Sequence, residues 1–344
     1  MNIALDATYG FGEQLSGVGV YCREILYGMA GAHPGQRFTF CCRTHRFRQL
    51  LRADLPANVR RRPLFDSLPT FRADLFHGLN QRLPSWRAKH TVCTFHDLFV
   101  LTGEYSTPEF RRRFTQQARL AAARADLILT VSAFTADQVH ALLGVERSRI
   151  RVVHHGVRAP AAVPPDPERE NLVLSVGAIQ IRKNIPRLVR AFERLPHHWR
   201  LVLAGGGGYG YPEILAQIKR SPAWERIRLT GYVDRSELEG LYSRARIFAF
   251  PSLDEGFGIP VLEAMAWGAP VLTSDRSALP EVAGSAALLV DPTDTERISS
   301  ALEQLAEDQD LRIRLAQLGR QRAAAFTWEK AVEQTWSAYR ELLE

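Results

Sequence analysis

Apolar residues in this chain come in short uninterrupted runs. NIALDA, RFTFCC, DLFH, HTVCTFH, DLILTVS and IRVVHHG stand in the first half, and NLVLSVG, RLVLAG, IRLTG, IFAFPS, APVLTS and AALLV in the second. Gly, Pro or Ser bounds each run, and most are followed by a stretch with helical spacing, such as IPRLVRAFERL. A strand wetted on one face alternates apolar and polar residues, whereas a strand covered on both faces is apolar throughout. Runs of the second kind, alternating with amphipathic helices, predict an α/β fold of parallel sheets with helices on both sides. The series breaks once, at GVRAPAAVPPDPERE (156–170), where four prolines exclude a helix interior or a central strand. Two doubly wound, Rossmann-like domains are therefore expected, with a boundary near residue 165 and a cleft between them. Ligands of such sheets sit beyond the carboxyl ends of the strands, so the chemistry should follow the apolar runs.

The totals narrow the class. A length of 344 residues suits two such domains. No run approaches the roughly 20 apolar residues that span a bilayer. The start, MNIALDATYGFGEQL, lacks the basic and apolar regions of a signal peptide, so a cytoplasmic location is expected. Cys22, Cys41, Cys42 and Cys93 show no metal-ligand spacing and read as buried reduced thiols. The net charge of +7 is uneven: residues 1–165 carry 22 Lys and Arg against 12 Asp and Glu, and the remainder 22 against 25. Arg43, Arg46, Arg48 and Arg52, Arg60 to Arg62, and Arg111 to Arg113 make much of that basic surface. It suits phosphate groups or peripheral contact with an anionic membrane at its inner face. No aromatic-interleaved RNA motif or zinc-finger spacing accompanies it, so nucleic acid is not an expected partner.

The densest chemistry lies in LDEGFGIPVLEAMAWGAPVLTS, where Glu255 and Glu263 flank a glycine loop. Pro260 fits the first turn of a helix and Gly268 its end, which puts Glu263 one turn inside and Glu255 at the outlet of the preceding strand. Loop amides and the positive helix end between the two carboxylates suit a phosphate, while the carboxylates themselves suit hydroxyl groups on either side. A diphosphate flanked by polyhydroxy groups is a nucleotide sugar. Arg182 and Lys183, after the strand in SVGAIQIRKNIPRLVRAF, form a cation pair at another strand outlet. Such a pair can hold a diphosphate and stabilise the charge that develops as it leaves, without a metal.

The segments GAIQIRKNIPRLVRAF, LTGYVDRSELEGLYSRA and FPSLDEGFGIPVLEAMAWGAPVLTSDRSALPEVAG resemble the retaining glycosyltransferases of the GT-B fold, family 4. That family includes many bacterial mannosyl- and rhamnosyltransferases. SGVGVY, CTFHDL, ILTVSAFT and VVHHGV extend the resemblance into the first half. It implies an acceptor-binding domain over 1–165, a nucleotide-sugar-binding domain over 166–325, and a final helix over 326–344 that packs back on the first domain. By the same resemblance Arg182 and Lys183 bind the diphosphate and Glu263 the ribose. Glu255, with the amides of Gly256, Phe257, Gly258 and Ile259, holds the donor sugar. Gly17 and Gly19 approach the donor phosphates, and His96 contacts the transferred sugar. The implied reaction is hexosyl transfer with retention, the acceptor attacking on the face the leaving phosphate vacates, with no cofactor and no essential metal. GDP-mannose is the expected donor, UDP- or dTDP-sugars such as rhamnose the alternative, and the base is read by main chain near Tyr232 and Val233. A saccharide or polyprenyl-diphosphate-linked acceptor of bacterial surface glycan synthesis is the expected partner.

Other signals are weaker. His77, which ends the strand DLFH, and Asn80 just beyond it are candidates for the acceptor side. Asp97 reads as a turn residue, and His154 and His155 as structural. Gly205, Gly207 and Gly210 satisfy a dinucleotide-binding spacing, but the acidic residue expected at the end of the next strand is missing, which disfavours an NAD(P)-dependent oxidoreductase. Asp308-Gln309-Asp310 lies between helical segments, where Asp caps rather than binds metal. A glycan phosphorylase would need a cofactor lysine that none of the four lysines supplies. A sugar-nucleotide 2-epimerase or a non-catalytic subunit would share the architecture.

Overall fold

All twelve apolar runs fold as strands in parallel sheets, and a thirteenth strand joins them. The structure is a computed structural model that describes residues 1–12 and 14–344. The chain divides into two units. Unit 1 holds residues 1–102, 108–156 and 327–344, and unit 2 holds residues 103–107 and 157–326.

Unit 1 is built on seven parallel strands: β1 (Asn2–Asp6), β2 (Arg37–Arg43), β3 (Val59–Leu64), β4 (Leu75–Gly78), β5 (His90–Phe95), β6 (Leu127–Thr130) and β7 (Ile150–Val152). Their order is β3-β2-β1-β4-β5-β6-β7. The central strands are buried on both faces, as their unbroken apolar runs require. The thirteenth strand, β3, reads VRRRPL and had the look of a basic surface cluster. It lies at the sheet edge beside β2, and its residues alternate between half-buried and exposed up to the buried Leu64. Edge position tolerates its charges and Pro63. Arg61 donates to the carbonyls of Leu50 and Ala53, which ties the strand to the helix Thr44–Arg52. The last helix, Trp328–Leu343, packs on the first, Gly17–Ala32, and Trp328, Val332 and Tyr339 enter the core of this unit.

Unit 2 has six parallel strands: β8 (Glu170–Val176), β9 (Arg200–Ala204), β10 (Ile227–Gly231), β11 (Ala245–Phe250), β12 (Val271–Ser274) and β13 (Ala287–Val290). The order is β10-β9-β8-β11-β12-β13. Winding reverses between β8 and β11, so the strand ends there open a crevice. Right-handed crossovers put the helices Ile185–Phe192 and Tyr211–Lys219 on one face, and Arg235–Arg244 and Ile259–Ala266 on the other. The division from unit 1 falls at Gly156 and Val157 rather than at residue 165. The proline-rich stretch is tied into unit 2: Arg169 donates to the carbonyls of Tyr242, Ser243 and Ala245, and Asp166 pairs with Arg312 at 2.8 Å. No described helix is long and apolar enough to cross a membrane.

Candidate active site

The site in unit 2 starts from two zipped loops. Gly177 N–H donates to Ala204, Ile179 N–H to Gly206, Gly208 N–H to Ile179 and Ile181 N–H to Tyr209, at 2.8 to 3.0 Å. Gly205 has φ +151°, and a Cβ there would strike the Gly177 carbonyl. The glycine run after β9 therefore lets one backbone lie against another, which explains it without a dinucleotide. The zipped loop ends in a 3₁₀ turn, Ile181–Lys183, followed by Asn184 at φ +59°. The Asn184 amide donates to the carbonyls of Pro251 and Pro292 and holds that left-handed conformation.

This turn sets Arg182 and Lys183 at the outlet of β8, beside Glu255 from the outlet of β11. Arg182 Nη1 lies 2.8 Å from Glu255 Oε2, and Lys183 Nζ 2.6 Å from Glu255 Oε1. Arg182 also donates to the Asp254 carbonyl at 2.5 Å, and Lys183 Nζ stands 4.3 Å over the Phe250 ring. All three charged side chains are about nine-tenths buried. Burial alone would push the Glu255 carboxyl up, but Arg182 and Lys183 outweigh it and hold the value down at about 2. The triad keeps one net positive charge in a desolvated crevice, an arrangement suited to an anion. Glu255 was expected to hold the donor sugar. In the structure both of its carboxylate oxygens face the cations, because two adjacent buried cations require a counter-charge.

Glu263 lies one turn inside the helix Ile259–Ala266, on the other face of the sheet from Ile185–Phe192. It is half-buried and accepts the Tyr242 hydroxyl at 2.9 Å. Burial lifts its carboxyl to about 7, only partly offset by that hydrogen bond. Gly258 caps the helix at φ +110°, where a Cβ would also press Leu279. Pro260 sits in the first turn, and Gly268 follows the end at φ +67°. The Phe257 side chain is buried against Phe326, so only its main chain can serve a ligand. Val233 is half-buried just beyond β10, next to exposed Tyr232. Asp308 caps the helix Gln309–Ala324 by accepting from Leu311 N–H.

In unit 1, Gly17 and Gly19 lie in the first turn of the first helix, and Ser16 Oγ accepts from Gly19 N–H. His96 follows β5 and is buried. Its Nε2 lies 2.9 Å from the Leu79 carbonyl, which can only accept, so Nε2 carries the proton and Nδ1 is an acceptor. Burial lowers its pKa to about 4, which keeps the ring neutral at pH 7. His96 lines a cavity of about 440 Å³ with Asn80, Tyr9, Arg82, Phe110 and Arg113. Asn80 Oδ1 accepts from Arg82 N–H at 2.7 Å. Arg113 lies 5.7 Å over the exposed Phe110 ring, on the helix Pro108–Arg124. This aromatic and cationic wall was missed; the signal was EFRRRF, whose arginines read as surface charge alone. His77 is corrected: it is fully buried, with Nδ1 2.5 Å from the Tyr339 hydroxyl and Nε2 2.8 Å from Thr94 Oγ1. Both ring nitrogens are occupied, so it cannot line an acceptor site.

Similarity to known proteins follows the same two halves. Residues 15–159 match Glycosyltransferase Family 4, and residues 161–322 match Glycosyl transferases group 1. O-antigen chain mannosyltransferase B of Escherichia coli is 34% identical over 290 residues, 80% of this chain and 76% of that protein. The serotype-specific mannosyltransferase WbdA of Escherichia coli is 29% identical over 275 residues, 74% of this chain but only 34% of WbdA, so the chain spans about a third of it. Sucrose-phosphate synthase of Thermosynechococcus elongatus superposes with a TM-score of 0.83 over 100% of this chain and 99% of that one, at 21% identity. The chain is a member of glycosyltransferase family 4 and has the GT-B fold.

Proposed function

We propose that the chain is a retaining hexosyltransferase that moves mannose from GDP-mannose to a saccharide or polyprenyl-diphosphate-linked saccharide in surface glycan synthesis. The observation that carries this is the buried Arg182–Glu255–Lys183 triad at the crevice between β8 and β11. A donor diphosphate placed there draws the two cations onto its oxygens and stabilises the charge that grows on the β-phosphate as the glycosidic bond breaks. Glu255 sets the spacing of the cations. With both its oxygens committed to them it is a poor nucleophile, which favours attack assisted by the leaving phosphate over a glycosyl-enzyme. Glu263 accepts from the ribose, and main chain at Gly256 to Ile259 and at Val233 receives phosphate or sugar and base. Gly17 offers a first-turn amide to the phosphates, while Gly19, whose N–H is held by Ser16 Oγ, lets the turn lie close to them. His96 Nδ1 accepts from a hydroxyl of the transferred sugar, and the cavity lined by Asn80, Phe110 and Arg113 receives the acceptor. No cofactor or metal takes part. The basic residues of 1–165 rest against an anionic leaflet carrying the acceptor. The mannosyl preference rests on the two Escherichia coli relatives.

The test is calorimetric titration with GDP, UDP and dTDP in EDTA, followed by transfer assays with the matching sugars. GDP binding and mannosyl transfer in EDTA are expected, with kcat lowered about 10²–10³-fold in Lys183→Ala, the size found on deleting one such electrostatic donor. Binding of UDP or dTDP instead would change the donor. Release of free nucleoside diphosphate without an acceptor product would indicate the epimerase. Near-normal turnover in Lys183→Ala would remove the triad from the mechanism.

A further inference from the structure

Four buried side chains of unit 1, Tyr339, His77, Thr94 and Tyr21, form a connected series that leads to His96. The Tyr339 hydroxyl, from the last helix, lies 2.5 Å from His77 Nδ1. His77 Nε2 lies 2.8 Å from Thr94 Oγ1, which lies 2.9 Å from the Tyr21 hydroxyl. A threonine hydroxyl donates once and accepts twice, so Thr94 can serve both neighbours. The Tyr21 ring then meets the His96 imidazole edge to face, centroids 4.8 Å apart at 77°. His155 closes the other side, stacked on His96 at 5.6 Å and standing 5.8 Å from Trp328 at the head of the last helix. Tyr21, His77, Thr94 and Tyr339 are each at most 1% exposed.

Stability alone does not call for this series. Paired polar groups in a core gain little over apolar groups of the same shape, and each is costly if its partner is lost. What the series fixes is direction. Among the described residues His96 is anchored by one hydrogen bond, from Nε2 to Leu79. A single bond leaves an imidazole free to rock about the N–H···O axis, and that rocking swings Nδ1. The Tyr21 edge and the His155 face remove that freedom. Tyr21 keeps its own tilt only while Thr94 holds its hydroxyl, and Thr94 is held in turn by His77 and Tyr339.

We propose that Tyr339, His77, Thr94 and Tyr21 are positioning residues that aim His96 Nδ1, so that the last helix sets the geometry of this histidine. None of the four touches substrate. The inference rests on the reading that His96 contacts the transferred sugar.

The experiment compares Thr94→Val, Thr94→Ser and Tyr339→Phe with His96→Ala in the full chain. Kinetics are run at varied donor, alongside thermal melts and ¹⁵N NMR of the histidine side chains. Valine removes the linking hydroxyl at nearly constant volume, and serine keeps the hydroxyl while losing a methyl group. Thr94→Val and Tyr339→Phe should lose about ten- to a hundredfold in kcat, with donor KM within about twofold, as for a small misplacement of a reacting group. Thr94→Ser should keep kcat within about threefold, even where its melting temperature falls as far as that of the valine variant. The His96 ring should keep its Nε2–H tautomer in every variant, since Leu79 sets it, while its signals stay sharp in Thr94→Ser and broaden in Thr94→Val. Equal losses in the serine and valine variants would make the series merely structural and overturn the proposal. So would full turnover in Tyr339→Phe beside a crippled His96→Ala. Full turnover in His96→Ala would overturn the role of His96 itself. Should Thr94→Val not fold, Tyr339→Phe and Thr94→Ser decide the question alone.

Discussion

Replacing Glu255 by glutamine tests whether the triad is one electrostatic unit. Glutamine keeps the shape and removes the charge between Arg182 and Lys183. In the folded chain burial raises the Glu255 carboxyl, and the two cations more than reverse this, taking it from 4.5 to about 2. At about 1.4 kcal/mol per pKa unit, that difference is ~3 kcal/mol of stability at neutral pH. The side chains are about 9 to 11% exposed, so water screens little of it. The variant also leaves two cations buried side by side, which adds to the loss. For a body of this size ~3 kcal/mol corresponds to roughly 6–12 °C in melting temperature. A depressed carboxylate contributes fully above its unfolded value and loses that contribution as pH falls through its folded value. The gap between wild type and Glu255→Gln should therefore be constant from about pH 8 to about pH 5, and narrow as pH drops below about 4.5 toward 2. Scanning calorimetry across that range measures it. A variant melting within about 2 °C of wild type at pH 8, or a gap that widens in acid, would refute the reasoning. Binding separates from stability in the same variant. With the competing carboxylate gone, GDP should bind at least as tightly as to wild type while kcat falls.

Glu263 gives the opposite pH sign. Burial raises its carboxyl to about 7, so its neutral form favours folding, and that contribution is lost as pH rises from its unfolded value through about 7. Only the ionised form is a strong acceptor for ribose hydroxyls, so donor KM should fall between about pH 6 and pH 8. Tyr242→Phe, which removes the hydrogen bond that opposes the shift, should move this transition to higher pH, and Glu263→Gln should abolish it. A wild-type KM indifferent to pH would take Glu263 off the ribose. The four cysteines are buried, and burial pushes the thiols of Cys22, Cys41, Cys42 and Cys93 up. An aromatic disulfide reagent should label none in the native protein and all four after denaturation, and fast native labelling would show that a core strand opens.

What could be read ahead of the structure was set by how far a residue's environment is local. Strands buried on both faces announce themselves, because every position answers to the same apolar surroundings. At the edge, β3 is shaped by water on one side and by β2 on the other, and VRRRPL carries no mark distinguishing it from a basic loop. The site residues divide in the same way. Arg182, Lys183, Glu255 and Glu263 were legible as strand-outlet and helix-start residues, since a run of apolar residues, a glycine and a proline locate those ends. Their mutual contact was not: Lys183 and Glu255 are 72 residues apart, and only the pairing of β8 with β11 brings them within 2.6 Å. That pairing also gives Glu255 two cation partners that nothing near it in the sequence announces. His77 shows the limit most sharply. His77 and His96 each close a strand of one sheet and look alike in sequence. What separates them is a tyrosine 262 residues away, whose hydroxyl occupies one and, through Thr94 and Tyr21, braces the other. The chemical identity of a histidine is written in its own neighbourhood, but its task depends on which of its nitrogens is already spoken for: Tyr339 and Thr94 take both in His77, while Leu79 takes one in His96.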